Sequence, residues 1–353
     1  MKEYKKEGPV MIVHGPEPFD NGFAKTMAEK TKPSVIIAAG IMARTAAEES
    51  GLKVVCPGIP PSAIINSVPP KMPLFLVNSG KNEESGRIFG EIVAGRINPR
   101  GLLHIENGLK GSIIYNWDFG DPELLNYLFE VTGFEIRNVS SGDGSACVSG
   151  NIKRIRGCVA GEPVFVNGIV IGQATASEVI IEVFEDNIRA VSGILIKEHG
   201  IEKLLRRGKP NPGDLWCKSG AIRNKSARSV NPENKSGNIC VVDHSAHECY
   251  EKTDENTAGI LSVGDDTTAV CCHICSHLGI PVFGVTDGDC DHIVPESYPP
   301  NSVIISLNGE RDDDVGVEIV EKFGLPCVYG WNEFVESVLL YLGKRAERVF
   351  DGR

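Results

Sequence analysis

Apolar residues in this chain fall into short runs, and polar stretches with helical spacing separate them. Residues 10–13 form one such run, ending in His14-Gly15-Pro16-Glu17. A second, 34–39, opens through Gly40 into Met42-Ala43-Arg44-Thr45. Runs 53–56 and 74–77 read as further strands, and segments 22–30 and 84–95 as helices. Strand-length apolar runs alternating with amphipathic segments indicate parallel strands joined by crossover helices. Residues 9–150 are therefore expected to form one α/β domain.

The rhythm changes over residues 151–198. Runs 163–166, 169–171, 178–184 and 188–194 are separated by turn signals at Asn167-Gly168 and Asp186-Asn187. An Asn-Gly pair between apolar runs signals a hairpin, so a small antiparallel β insert of about four strands is expected. Residues 199–237 are rich in Gly, Pro, Asn and Lys and read as a linker or long loop. From 238 to 353 the α/β rhythm returns. Strands are expected at 239–242, 259–263, 281–285 and 302–307, with helices at 246–252, 268–278, 314–323 and 332–348. The predicted fold is α/β: two parallel-sheet, Rossmann-like domains with the β insert between them.

Composition narrows the partners. Lys and Arg number 36 against 47 Asp and Glu, a formal net charge of −11. An acidic protein is repelled by phosphate backbones and anionic membranes. Nucleic acid is disfavoured unless a local basic patch receives it. The candidate patch is Lys203, Arg206, Arg207, Lys209, Lys218, Arg223, Lys225 and Arg228, with Asp214 the one acid among them; a solvated linker explains the same run. No apolar run approaches the ~20 residues that span a bilayer, so no membrane partner is expected. The first eight residues are charged and lack a signal-like apolar stretch, and a cytoplasmic location is expected. The 11 cysteines would then be reduced thiols.

In open parallel sheets, ligands bind beyond the carboxyl ends of the strands. Polar clusters stand at several predicted strand ends. Asp287-Gly288-Asp289-Cys290-Asp291-His292 carries three carboxylates at alternating positions, which an extended backbone points to one side. Like charges that close repel unless a cation sits among them. An all-oxygen set suits Mg²⁺ or Mn²⁺, with Asp287, Asp289, Asp291 and Asp265 as candidate ligands. A solvated Asp/Gly turn is the alternative. Gly264-Asp265-Asp266-Thr267-Thr268 joins strand to helix; its residues serve as a cap, or Thr267 and Thr268 hold a phosphate with the helix N-terminus. Asp243-His244-Ser245-Ala246-His247-Glu248 supplies Asp243, His244 and His247 as candidate catalytic groups, since imidazole shuttles protons near neutral pH. In the first domain, His14, Glu17 and Arg44 are candidate ligand-binding residues, Arg44 suiting an anion. Cys271, Cys272, His273, Cys275 and His277 crowd one helix. Their spacing lacks the second convergent pair of a zinc site, and core packing is the expected role.

Three segments also carry a resemblance: Val13-His14-Gly15-Pro16-Glu17, Val166-Asn167-Gly168-Ile169-Val170-Ile171-Gly172, and Gly264-Asp265-Asp266-Thr267-Thr268 with Gly279-Ile280-Pro281 through Thr286-Asp287-Gly288-Asp289. Together they look like an uncharacterised protein family of archaea, chiefly methanogens. The resemblance spans nearly the whole chain and implies no catalytic residues. More locally, residues 238–310 are similar to the Toprim domain, in which a Glu and an Asp-x-Asp bind Mg²⁺. Asp287 and Asp289 match the Asp-x-Asp, whereas Asp243 stands where the Glu belongs.

Three functions are compatible with these residues. The first is a metal-dependent enzyme acting on a small anionic or phosphorylated metabolite or nucleotide. The second is a Toprim-like, Mg²⁺-dependent nuclease or phosphotransfer enzyme. The third is a non-catalytic ligand-binding or assembly protein.

Overall fold

The computed structural model describes residues 8–97, 100–141, 148–206, 208–232 and 236–353. The chain divides into two compact units, residues 1–220 and 221–353.

Unit 1 begins with β1 (Val10–His14), α1 (Glu17–Asp20), α2 (Phe23–Thr31), β2 (Val35–Ala39), α3 (Ile41–Glu49) and α4 (Pro61–Ser67). It continues through β3 (Leu74–Asn78), α5 (Glu83–Ala94), β4 (Leu102–Gly108), β5 (Gly111–Trp117), α6 (Pro122–Thr132) and β6 (Glu135–Val139). These strands form one sheet in the order β2-β1-β3-β4-β5-β6. β2, β1, β3 and β4 run parallel, and β5 pairs antiparallel to β4. Met11, Val13, Phe75 and Val77 face one core, with Ala24, Met27, Ala46 and Leu124 of the helices. Val10, Ile12, Leu74 and Leu76 face the other, with Ile64, Ile65 and Val93. Burial on both faces explains why these strands read as unbroken apolar runs.

Residues 102–139, for which the apolar pattern named no element, supply half the sheet's strands. Their alternation is obscured because β4 buries His104 and Glu106 on the face where an apolar residue would be expected. Run 53–56 is not a strand; Val55 makes a single bridge to Ile37.

The remainder of unit 1 is β7 (Val148–Ser149), β8 (Ile152–Arg156), β9 (Pro163–Val166), β10 (Ile169–Ala174), β11 (Glu178–Phe184), β12 (Asn187–Ser192), β13 (Ile194–Ile196), α7 (Glu198–Arg206) and β14 (Cys217–Ser219). They build two antiparallel sheets, β13-β10-β9-β14 and β12-β11-β8-β7, rather than one of about four strands. Asn167 and Gly168, both at positive φ, make the tight turn between β9 and β10. The other turn sits one residue earlier than expected, at Glu185-Asp186, because Asn187 is already paired with Phe184.

The stretch 199–237 is not simply a linker. α7 buries Ile201 and Leu204. Its Gly200 lies so close to β10 that a Cβ would fall 2.0 Å from the Val170 carbonyl oxygen. β14 pairs with β9. The basic run is consequently dispersed. Lys209 pairs with Asp186, Lys218 lies on β14, and Arg223 belongs to unit 2, buried 3.1 Å from His273 Nε2. Arg207 lies outside the described residues.

Unit 2 comprises β15 (Ser236–Asp243), α8 (Cys249–Lys252), β16 (Thr257–Val263), α9 (Asp265–Leu278), β17 (Val282–Thr286), β18 (Val303–Leu307), α10 (Asp312–Phe323), β19 (Cys327–Gly330), α11 (Trp331–Leu342) and β20 (Ala346–Asp351). The sheet order is β19-β15-β16-β17-β18-β20, the four central strands parallel and both edges antiparallel. α10 and α11 pack on one face against Leu261, Phe283, Val285 and Ile305. α9 packs on the other, where Gly284 admits the Thr268 methyl. The helix expected to reach residue 348 ends at Leu342, since Gly343 takes a positive φ and the chain turns back as β20. Cys271, Cys272, His273 and Cys275 are fully buried in α9, in agreement with a core role.

Candidate functional site

In unit 2 the carboxyl ends of β15, β16 and β17 carry two adjoining groups of acidic residues. The first is organised by Asp265, in the first turn of α9. Its carboxylate accepts the backbone N–H groups of Asp287, at 3.0 Å, and Gly288, at 3.2 Å. These bonds fold the loop after β17 back over the helix start. Asp266 does the same one step further, accepting from the Asp291 N–H at 3.0 Å. As a result, carboxylate oxygens of Asp265, Asp287 and Asp289 lie within 4.8 Å of one another. Burial pushes the Asp265 carboxyl up to about 6, the charges of Asp289 and Asp287 add to that, and the two backbone bonds oppose it. Asp287 Oδ1 is buried and has no hydrogen-bond partner among the described residues.

The second group surrounds His244. Its Nδ1 lies 2.6 Å from Asp243 Oδ1 and 3.4 Å from Asp313 Oδ1, and its Nε2 3.9 Å from Asp312 Oδ2. Burial disfavours a charged ring here. The bond to Asp243 and the charges of Asp312 and Asp313 outweigh it and raise the histidine above its ordinary value. The two groups meet at Gly264, whose φ is 103°. A Cβ at Gly264 would lie 3.0 Å from His244 Nε2, so only glycine fits both the backbone and the ring.

The structure thus brings together Asp243 and His244, and separately Asp265, Asp287 and Asp289. It does not bring in His247, which is exposed and 4.0 Å from Glu248. The carboxylate of Asp291 is not part of the acidic trio. Thr267 and Thr268 are buried, and Thr268 Oγ1 bonds Ser262 Oγ at 2.8 Å, so this pair closes the helix against the sheet. Asp312 and Asp313 were missed by sequence reasoning. They open α10 after the loop that follows β18, but an acidic first helical turn is common and gives no hint of a distant histidine. Asp265, and not Asp243, completes the Asp287/Asp289 set, so the geometry does not reproduce the Toprim pattern.

Unit 1 has a different carboxyl edge. β2 lies on one side of β1 and β3 on the other, so the β1–β3 boundary is a topological switch point. His14 ends β1 and Asn78 ends β3. His14 Nδ1 lies 2.9 Å from Asn78 Oδ1, and Asn78 Nδ2 donates to Glu106 Oε2 at 2.7 Å. Glu106 also accepts the Gly80 N–H and lies 3.1 Å from His104 Nε2. His14 stacks on Phe89, ring centroids 4.0 Å apart, and burial pushes it down to about 4. Glu17 follows on α1, its carboxyl raised by burial. Arg44 is elsewhere, paired with Glu48 on the surface of α3 at 2.8 Å. Sequence reasoning missed Asn78, His104 and Glu106. A signal existed: Gly86 and Gly90, four apart in α5, sit where a Cβ would come within 2.3 Å of Glu106 and of His104. Glycines inside a helix weaken it, so a pair of them implies something bulky beneath.

Among the described residues, no helix is long and apolar enough to cross a membrane. The chain is 29% identical over 349 residues to the uncharacterised protein MJ0065 of Methanocaldococcus jannaschii, an alignment covering 93% of this chain and 94% of that one. No solved structure matches the chain. Residues 11–324 match the model of a family described as an uncharacterised protein conserved in archaea (DUF2117), and the chain belongs to that family.

Proposed function

We propose that this protein is a metal-dependent enzyme acting on a small phosphorylated or otherwise anionic metabolite or nucleotide, with Asp265, Asp287 and Asp289 holding Mg²⁺ or Mn²⁺. The observation that carries the reading is the crowding of those three carboxylates within 4.8 Å at the carboxyl edge of parallel strands. A buried Asp287 oxygen without a hydrogen-bond partner among the described residues and a carboxyl at Asp265 pushed up to about 6 support it. The raised carboxyl reflects burial first and the crowding of like charges second, and a cation among the three carboxylates would relieve that crowding. Oxygen ligands of this kind suit a hard divalent ion, which when bound would neutralise the edge and let an anion approach.

His244 would act as the proton donor. Ringed by Asp243, Asp312 and Asp313, its imidazolium is stabilised relative to that of an ordinary histidine, and this is the form that gives a proton to a leaving group. Asp243 orients the ring through the 2.6 Å bond.

The test is a screen of phosphorylated metabolites and nucleotides for turnover with Mg²⁺ or Mn²⁺. Turnover should fall about 10²–10⁴-fold in His244→Gln, the usual contribution of a positioned proton donor. Binding of the same compounds with no metal-dependent turnover would instead favour the non-catalytic ligand-binding reading.

A further inference from the structure

We propose that Cys249 of α8 and Cys275 of α9 form a modification site, a buried thiol pair that hydrogen peroxide converts to a disulfide joining the two helices. The inference is independent of the metal reading of Asp265, Asp287 and Asp289.

The cysteines of α9 are crowded on one helix, and their spacing shows no partner for them elsewhere. The fold supplies one. Cys249 Sγ lies 3.9 Å from Cys275 Sγ, across the contact between α8 and α9. Both residues are fully buried, as is Cys271, one turn before Cys275 on the same side of α9. A disulfide holds its sulfurs about 2.05 Å apart, so the pair must close by about 2 Å.

The two helices differ in their freedom to make that movement. α9 runs for 14 residues and is buried along most of its length, which fixes Cys275. α8 has four residues and follows a three-residue 3-10 turn, Ala246–Glu248. Elements this short have few backbone bonds of their own and open locally at low cost. Such an opening admits a small uncharged molecule such as hydrogen peroxide and lets Cys249 approach Cys275.

A thiol buried among hydrocarbon is inert, because the thiolate is the nucleophile. Cys249 is buried among thiols. Hydrogen bonds from Cys271 and Cys275 hold it well below the usual thiol range; Lys252 adds to this and burial opposes it. Burial, with the bond to Cys249, keeps Cys275 protonated. Cys249 is therefore the attacking group and Cys275 the resolving one. The Cys249 thiolate attacks one peroxide oxygen and the O–O bond breaks. The departing hydroxide takes up the proton that Cys249 released, giving water and a Cys249 sulfenic acid. The Cys275 sulfur then attacks the Cys249 sulfur, the S–O bond breaks, and the hydroxyl leaves with the Cys275 proton as a second water. Two thiols are oxidised by two electrons, and one peroxide is reduced to two waters.

The experiment is treatment of the reduced full-length protein with millimolar hydrogen peroxide, followed by tandem mass spectrometry without reduction. The exposed Cys290 is the internal comparison. The expected result is a loss of two hydrogens, mapped to a link between Cys249 and Cys275 and reversed by dithiothreitol. In Cys275→Ser that loss should vanish, and Cys249 should go on to the sulfinic acid. If Cys275→Ser does not fold, Cys249→Ser provides the second variant: its Cys275 should stay a thiol under the same treatment. Cys249 and Cys275 still present as thiols in the wild type after Cys290 has been oxidised would overturn the proposal. So would a link from Cys249 to Cys271, or an unchanged two-hydrogen loss in either variant.

Discussion

The two α/β units solve the same problem at their carboxyl edges in opposite ways. In unit 1 the buried carboxylate of Glu106 is met by a backbone amide, an asparagine amide and an imidazole. In unit 2 the trio Asp265, Asp287 and Asp289 is held together by backbone amides, and one buried Asp287 oxygen has no partner among the described residues. The histidines follow suit: His14 is pushed down to about 4, while His244 is raised by three surrounding aspartates. The lesson is that acidity at a strand end does not by itself indicate a cation. What matters is whether the protein supplies the donors.

The largest effect expected from this contrast is in unit 1. Glu106→Ala leaves the Asn78, Gly80 and His104 donors buried and unpaired, and should cost on the order of 3–5 kcal/mol in urea unfolding. A loss below about 1 kcal/mol would show that the relay is not holding the sheet edge.

The pH dependences should run in opposite directions. His14 has a folded value below its unfolded value of 6.5, so the unfolded chain binds more protons between about 4 and 6.5. Unit 1 should therefore lose stability as pH falls through that window, by on the order of 2 kcal/mol. His244 has a folded value above 6.5, so its contribution is complete below 6.5 and is lost as pH rises through the folded value. Hydrogen exchange, followed unit by unit across pH, separates the two slopes; parallel slopes would contradict the contrast.

A smaller effect tests the glycine reading. Gly90→Ala should destabilise by about 1–3 kcal/mol through overpacking on His104, although alanine in an open helix stabilises by roughly 0.5–1 kcal/mol. The smallest effect has the opposite sign to the first. Asp287→Asn in chelator should stabilise unit 2 by roughly 0.5–2 kcal/mol, because it relieves like-charge crowding. Destabilisation there would mean that Asp287 is compensated like Glu106.

Much of the architecture was legible in the chain. β1, β3, β16 and β17 are near-continuous apolar runs because both faces are covered, and Asn167-Gly168 announced its turn. β4 was not, because burying His104 and Glu106 breaks the apolar pattern that marks a strand. α7 was hidden in a polar stretch, since Ile201 and Leu204 are too few apolar residues to stand out. At the sites, residues adjacent in sequence were legible: Asp243 with His244, and Asp287 with Asp289. Partners brought in by the fold were not. Asp312 and Asp313 reach His244 only through the β18–α10 turn, and Asn78 reaches His14 only through the pairing of β1 with β3.

The central claim is that the trio of unit 2 is built for a divalent ion. Thermal unfolding of the wild type and of Asp287→Asn/Asp289→Asn, each in chelator and in Mg²⁺, Mn²⁺ or Zn²⁺, tests it most directly. A metal at ~100 times its dissociation constant should stabilise the wild type by about 2.7 kcal/mol. The account predicts that rise with Mg²⁺ or Mn²⁺ and its loss in the double variant. No rise in the wild type with any of the three metals at millimolar concentration, or an equal rise in both proteins, would contradict it.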